Sequence, residues 1–184
     1  MSPIDDDGKL KGAMQIPSPN CDARPENTEV CLLIVHSISL PPGEYGGADV
    51  TALFTNALDP DRHPYFRGIA SLKVSSHIFI RRDGGLIQFV PFMKRAWHAG
   101  ISSWQGRSRC NDFSIGVELE GTDDSAFTDQ QYDTLNRLIT VLTRRFPIRN
   151  IVGHSDVAPG RKTDPGPHFD YLRLSWCGNF TKKN

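Results

Sequence analysis

Two histidines and one aspartate stand far apart in this sequence, each beside residues that would aim its side chain. His36 closes the apolar run 32–35, His154 follows a glycine at the end of a short apolar run, and Asp164 precedes Pro165. Two imidazoles and one carboxylate form one ligand set of catalytic zinc sites, in which a fourth tetrahedral position is left for water or substrate. A site of this type would imply hydrolysis.

Each of these residues also has an ordinary structural explanation. Asp164 could belong to a surface Asp-Pro-Gly turn with a solvated lysine nearby, and a single histidine is more often structural than a ligand. The chain holds six histidines, so spacing alone is weaker than an HExxH helix would be. Because Pro165 favours an extended conformation before it, Lys162 and Asp164 are predicted to project to the same side.

Glu118 is a candidate general base on a predicted strand. Period-two geometry places Glu118 on one face with Ser114 and Gly116, whose small side chains would leave a hollow. The alternative is that Glu118 and Glu120 line a solvated sheet face. Trp97 likewise offers either a surface for a sugar ring or ordinary core packing.

Composition limits the classes of partner. The 184 residues suit one domain, and 21 basic residues balance 21 acidic ones, so no basic stripe favours nucleic acid or a membrane surface. The N-terminus is acidic and lacks the apolar region of a secretory signal, and the four cysteines are scattered without a CxxC pair. These features favour a reduced, cytoplasmic location.

The hydrophobic pattern predicts the elements that must position these residues. They are a strand over 30–35, a helix over 49–57, a hairpin with strands over 76–82 and 86–90, a strand over 113–120, a helix that Thr128 caps and Pro147 ends, a strand over 150–153 and a short helix over 169–174. We expect one α/β domain with a mixed central sheet flanked by helices and the zinc site at one end of the strands. The predicted boundaries are an irregular leader over 1–29, the domain over 30–176 and a polar tail over 177–184.

Five longer motifs carry a resemblance to a known family. They lie at 36–43, 81–84, 94–100, 106–121 and 162–167. The sequence from about residue 16 to about residue 175 resembles the AmpD-type branch of the zinc N-acetylmuramoyl-L-alanine amidases, a superfamily that also contains phage-type lysozyme amidases and peptidoglycan recognition proteins.

The resemblance implies roles for five residues. The zinc ligands fall on His36, His154 and Asp164, and the catalytic glutamate and lysine fall on Glu118 and Lys162. The implied mechanism uses zinc to acidify a water and polarise the scissile carbonyl. The glutamate then moves a proton, and the lysine stabilises the oxyanion.

Four further residues are implied to bind substrate. Trp97 would hold the sugar, while Arg109 and Lys73 would hold carboxylates of the peptide. Ser37 follows the first zinc ligand where close relatives often have asparagine, and Lys73 stands where arginine is common, so both are departures that bear on substrate affinity. Whether His77 or His98 touches the metal or borders the pocket stays open.

The implied activity is hydrolysis of the amide between N-acetylmuramic acid, in its 1,6-anhydro form, and L-alanine of the stem peptide. This implies a cytoplasmic monomer that acts on small muropeptides during cell-wall recycling, with an indirect effect on β-lactamase induction. Two alternatives remain: a muropeptide-binding module without catalysis, and an exported amidase that acts on polymeric cell wall. The intact ligand set argues against the first alternative, and the absence of a signal peptide argues against the second.

Overall fold

A six-stranded mixed sheet forms the centre of the computed structural model, which describes residues 3–176. The predicted tail over 177–184, with Cys177, lies outside these residues. In chain order the strands are β1 Met14–Gln15, β2 Cys21–Ala23, β3 Leu32–Ile38, β4 Ile78–Ile80, β5 Leu86–Gln88, β6 Lys94–Ala96, β7 Ser103–Trp104, β8 Arg107–Ser108, β9 Ser114–Glu120 and β10 Asn150–Gly153. The α-helices are α1 Asp49–Phe54, α2 Asp129–Arg145 and α3 His154–Val157, and short 3-10 turns span Pro64–Gly68, Cys110–Asp112 and Tyr171–Arg173.

The order of strands in the sheet is β1-β5-β4-β9-β3-β10. Only the β4–β5 hairpin is antiparallel among the pairings of this sheet, so the mixed α/β sheet expected from the sequence is confirmed. The pairs β2–β6 and β7–β8 form two small antiparallel ribbons beside it. Among the residues described, no helix combines the length and apolar character that crossing a membrane requires.

The two faces of the sheet carry different layers. On one face, Ile115, Val117 and Leu119 of β9 join the main apolar cluster, to which α2 contributes Leu135 and Leu138. Leu33 and Val35 of β3 belong to the same cluster. The opposite face carries His36 of β3 and the polar residues of β9, together with two smaller apolar clusters. Alternation along the strands therefore separates a core face from a polar face.

Helix α2 begins and ends where the sequence indicates. The Thr128 hydroxyl accepts a hydrogen bond from the Gln131 N–H at 3.2 Å, and the Gln131 side chain accepts one from the Thr128 N–H at 3.0 Å. This reciprocal capping box satisfies two N–H groups that the first turn leaves without helical partners. The helix ends at Arg145, two residues before Pro147.

Several boundaries differ from those predicted. Strand β3 continues to Ile38 because it pairs with β9 as far as Glu120, so His36 lies inside the strand and not after it. Phe113 precedes β9 and packs with Cys110 in a separate cluster, so the predicted start of that strand at residue 113 is wrong. Helix α1 ends at Phe54, and the predicted last helix is only the 3-10 turn at Tyr171–Arg173.

The leader predicted to be irregular is more closely attached to the domain than its composition indicates. Strand β1 adds a parallel edge to the sheet beside β5, and β2 pairs with β6. The Arg24 guanidinium donates to four backbone carbonyls, among them those of Asp112 and Ser114 at 2.8 and 2.9 Å. Burial lowers the pKa of Arg24 to about 10, yet these carbonyls compensate for lost hydration.

Candidate metal centre

Strand register brings the predicted residues together. On adjacent parallel strands, His36 of β3 is the direct partner of Glu118 of β9. On the other side of β3, Gly153 of β10 is the partner of Val35, so His154, the next residue, arrives beside His36. Three positions far apart in sequence thus become neighbours across three strands.

Asp164 reaches the same place through a short return of the chain after α3. The Ser155 N–H donates to the Asp164 carbonyl at 3.0 Å, which ties this loop to the beginning of the helix. A side chain at Gly153 would meet Pro165 Cδ and the Tyr171 hydroxyl, each at 2.8 Å. Glycine at this position therefore allows the Asp164 loop to pack directly against the end of β10.

The three ligand-type atoms converge. His36 Nδ1 lies 3.0 Å from His154 Nδ1, and each of these nitrogens lies 3.1 Å from Asp164 Oδ2. Tetrahedral zinc with bonds of about 2.0 to 2.2 Å places its ligand atoms roughly 3.3 Å apart, so the spacing and the donor types fit zinc. Within residues 3–176, this is the one group of three or more histidine, cysteine and acidic residues close enough to hold a metal ion.

The electrostatics of the group also suit a cation. Burial lowers the pKa of His36 to about 4, against a smaller opposing effect of its hydrogen bond to Asp164. Burial acts to raise the pKa of Asp164, but hydrogen bonds to His154 and His36 outweigh it and leave that pKa well below its usual range. A neutral imidazole at His36 and an ionised Asp164 carboxylate are the protonation states in which these side chains bind a metal.

Glu118 is buried beside this group with one oxygen unsatisfied. Its Oε2 has no hydrogen-bond partner among the residues that the structure describes. Burial, with the nearby charge of Asp164, raises the pKa of Glu118 well above its usual value, and Lys162 opposes this shift. A buried carboxyl with a free oxygen in a cavity is suited to proton transfer with a ligand.

A cavity of about 340 Å³ opens over these residues. His36, His154, Asp164, Glu118 and the exposed Lys162 line its polar end. One wall is apolar and is formed by Leu40, Pro42, Leu53, Phe54, Tyr65, Ile69, Leu72 and Val74. Polar groups converging at one end of a partly apolar cleft are typical of a small-molecule site.

The predicted substrate-binding residues divide into two groups. Ser37 lines the cavity, whereas Trp97, Arg109 and Lys73 are not among its described lining residues. Arg109 is exposed and pairs with Asp112 at 3.2 Å. Lys73 and Trp97 directly precede Val74 and His98, which do line the cavity, so the roles of these three residues stay predictions.

The polar face of β9 differs from both sequence interpretations of it. It is not solvated, since Glu118 is 7% and Glu120 3% exposed. The predicted hollow beside Glu118 is filled by the His98 ring, because a Cβ atom on Gly116 would lie 2.5 Å from His98 Cγ. Sequence reasoning left His98 without a role, although the small residue at 116 was a signal that a bulky group packs there.

The comparisons with known proteins agree with this fold. A family model described as N-acetylmuramoyl-L-alanine amidase matches residues 26–167. The chain therefore belongs to the N-acetylmuramoyl-L-alanine amidase family.

The particular relatives are AmpD enzymes, which confirms the predicted resemblance. The chain is 58% identical over 171 residues to the 1,6-anhydro-N-acetylmuramyl-L-alanine amidase AmpD of Citrobacter freundii, covering 92% of this chain and 91% of the relative. A crystal structure of a selenomethionine derivative of AmpD superposes with a TM-score of 0.90 at 58% identity, over 92% of this chain and 96% of that one.

A more distant relative has been solved with a ligand. It is the N-acetylmuramyl-L-alanine amidase AmiD from Escherichia coli, in complex with the substrate anhydro-N-acetylmuramic acid-L-Ala-D-gamma-Glu-L-Lys. The TM-score is 0.57 at 28% identity, and the match covers 93% of this chain and 63% of AmiD.

Proposed function

We propose that this chain hydrolyses the amide bond between the D-lactyl group of 1,6-anhydro-N-acetylmuramic acid and L-alanine of the stem peptide. The observation that carries the proposal is the convergence of three ligand atoms within 3.1 Å of one another at the polar end of a cavity. The substrate class is supported by the printed names of the AmpD relatives.

The proposed metal is zinc, held by His36 Nδ1, His154 Nδ1 and Asp164 Oδ2. When bound, zinc supplies Lewis-acid chemistry, which polarises an acyl carbonyl and makes water acidic enough to attack near neutral pH. The remaining chemistry is assigned to residues of this chain.

Glu118 is proposed as the group that moves the proton. It accepts a proton from the attacking water and later donates it to the leaving amine of L-alanine. Support comes from its free Oε2 and from its burial beside Asp164, which raises the pKa of Glu118 well above its usual value and so makes its carboxylate a stronger acceptor for the proton of water. Glutamine at this position would keep the shape of the side chain but could not transfer the proton.

Lys162 is proposed to stabilise the oxyanion that forms when water adds to the carbonyl. Its ammonium group is exposed at the cavity and close enough to lower the pKa of Glu118. Trp97 would hold the sugar, Arg109 and Lys73 the peptide carboxylates, and Ser37 a polar group of the substrate near the metal. The proposal also includes a cytoplasmic monomer that acts on soluble fragments, which rests on the family resemblance.

Product analysis tests the activity. Purified zinc-loaded protein is incubated with anhydro-N-acetylmuramyl tripeptide and, in parallel, with intact sacculi, and the products are identified by mass spectrometry. We expect the free tripeptide and anhydro-N-acetylmuramic acid from the soluble fragment, with much slower release from sacculi. Binding without cleavage would instead identify a muropeptide-binding module, and faster cleavage of sacculi would identify a cell-wall amidase.

A further inference from the structure

The segment His98–Ala99 contacts the outward-facing nitrogens of both histidines of the candidate metal centre. His36 Nε2 lies 2.9 Å from His98 Nδ1, and His154 Nε2 lies 3.2 Å from the Ala99 carbonyl oxygen. These are the ring nitrogens that point away from the three converging ligand atoms. One short segment therefore contacts both imidazoles on the side opposite the converging ligand atoms.

The contact with Ala99 fixes the tautomer of His154. A carbonyl oxygen can only accept, so the proton of the neutral His154 ring lies on Nε2. Nδ1 then has a free lone pair directed at the other ligand atoms, as metal binding requires. The same carbonyl accepts a second hydrogen bond from Arg161 Nη2 at 2.6 Å, which its two lone pairs allow.

The contact with His98 places the proton of the neutral His36 ring on Nε2 in the same way, provided that His98 Nδ1 accepts the hydrogen bond. The other nitrogen of His98, Nε2, lies 3.2 Å from the Ser114 hydroxyl, which can accept its proton. His98 Nδ1 is then free to accept from His36 Nε2, and His36 Nδ1 keeps its lone pair. A chain of hydrogen bonds thus runs from Ser114 through His98 to His36.

The segment itself is held from two sides. The Asn111 side-chain oxygen accepts from the backbone N–H groups of His98 and Ala99 at 3.2 and 2.8 Å. On the other side, the His98 ring rests on Gly116, where any Cβ atom would collide with it. These contacts leave the ring and the Ala99 carbonyl little freedom to turn.

We propose that His98 and Asn111 are positioning residues that orient both histidine ligands and fix their metal-binding tautomers. His98 acts on His36 through its ring, and Asn111 acts on both ligands by holding the backbone of the segment. The proposal rests on the proposed metal site, and it goes further by assigning that site's geometry to a segment that supplies no ligand atom.

Metal binding by purified variants tests this role. The variants are His98→Phe, which removes the acceptor for His36, Asn111→Leu, which releases the segment, and Asn111→Asp, which keeps the accepting oxygen. Zinc affinity is measured by competition with a chromophoric chelator, and the visible spectrum of the Co²⁺-substituted protein reports ligand geometry. We expect the Phe and Leu variants to bind zinc about 10- to 100-fold more weakly with an altered cobalt spectrum. Asn111→Asp should behave as wild type.

Gln88→Leu is the matched control for a purely structural loss. Gln88 lies on the side of the sheet away from the candidate metal centre, and its buried side-chain amide bonds to backbone groups, as that of Asn111 does. Its partners are the backbone groups of Gly8, Leu10 and Val90. This variant should lose stability in thermal unfolding while its zinc affinity and cobalt spectrum stay unchanged.

Two results would overturn the proposal, and they differ. Wild-type zinc affinity and spectrum in folded His98→Phe and Asn111→Leu would remove the positioning role and leave the metal site intact. Failure of the wild-type protein to bind either ion would overturn the metal site together with the positioning role.

Discussion

The two faces of β9 are both buried, but one packs in the apolar core and the other carries polar residues of the candidate site. Ile115, Val117 and Leu119 face α2 in the main apolar cluster. Glu118 and Glu120 face the other way and are 7% and 3% exposed, Glu118 beside His36 and Glu120 against the backbone of Gly46 and Arg82. A strand of seven residues therefore supplies both the apolar core and the polar layer of the candidate site.

This difference shows how the fold supports a buried polar site. Unpaired polar groups are costly to bury, so the polar face must be satisfied by specific partners, whereas the apolar face needs only dense packing. Substitutions on the apolar face should reduce stability with little effect on chemistry. Substitutions of the polar-face residues that converge on the candidate metal centre should change metal binding or turnover more than stability.

Asp164→Ala should have the largest effect. It removes the only carboxylate among the three converging ligand atoms, so zinc content should fall from one ion per chain to nearly none, and turnover should be lost with it. Metal analysis after dialysis and the muropeptide assay measure both. Asp123→Ala is the matched control, because Asp123 lines the same cavity without belonging to the ligand group. Equal zinc loss in both variants would contradict the assignment.

Glu118→Gln should retain zinc and lose most turnover. Proton transfer by a positioned group contributes about 10²- to 10⁴-fold to rate, and the amide cannot supply it. Steady-state kinetics with metal analysis separate the two effects.

Glu120→Gln controls for burial on the same face of the same strand. Its carboxylate accepts hydrogen bonds from the backbone N–H groups of Gly46 at 2.6 Å and Arg82 at 3.0 Å. This variant should therefore lose more in stability than in turnover rate. Near-normal turnover in Glu118→Gln would remove Glu118 from the mechanism.

Leu138→Ala tests the apolar face. Leu138 is 2% exposed in the cluster between α2 and the sheet. Its truncation should lower the free energy of unfolding by about 2 to 5 kcal/mol, since it leaves a cavity. Urea unfolding measures this loss, and turnover per folded molecule at low temperature should match wild type. A tenfold loss of that turnover would show that the two faces are not separable.

Lowering the pH should reduce the stability of the folded protein through His77, which lies on the polar side of the sheet. Burial lowers the pKa of His77 well below its usual value, so the folded protein keeps this ring neutral while the unfolded chain binds a proton below about pH 6.5. Stability contributed by neutral His77 is therefore present above that pH and is lost as the pH falls, by at most about 1.4 kcal/mol per unit.

The comparison with His77→Gln isolates this effect. Urea unfolding of both proteins between pH 7.5 and 5, with a chelator present so that metal release does not contribute, should show the difference in stability shrinking toward low pH. A constant difference over this range would mean that His77 does not titrate on unfolding.

The elements with long hydrophobic patterns were predictable, and their pairing was not. The period-two run of β9 and the capped periodic pattern of α2 were recognised because each lies within a continuous stretch of sequence. The register that sets His36 beside Glu118 depends on contacts between distant segments, which local patterns do not contain. The long motifs suggested this group of residues only through resemblance.

Residues that act through other residues were hardest to predict. His98 gains its position from Gly116 beneath it and Asn111 beside it. A small residue at 116 indicates space but not which side chain fills it, and the contact with Asn111 has no signature in spacing. Arg24 was missed because an irregular leader gives no sign that one guanidinium in it is buried against four carbonyls. Such roles become visible only when the chain is folded.

Stepwise zinc addition to metal-depleted protein is the most direct test of the central claim. The rate of L-alanyl peptide release from anhydro-N-acetylmuramyl tripeptide is measured at each addition. We predict no activity without metal and full activity at one zinc per chain, with no restoration in Asp164→Ala. Undiminished cleavage by metal-depleted protein, or no cleavage at one bound zinc, would contradict the account.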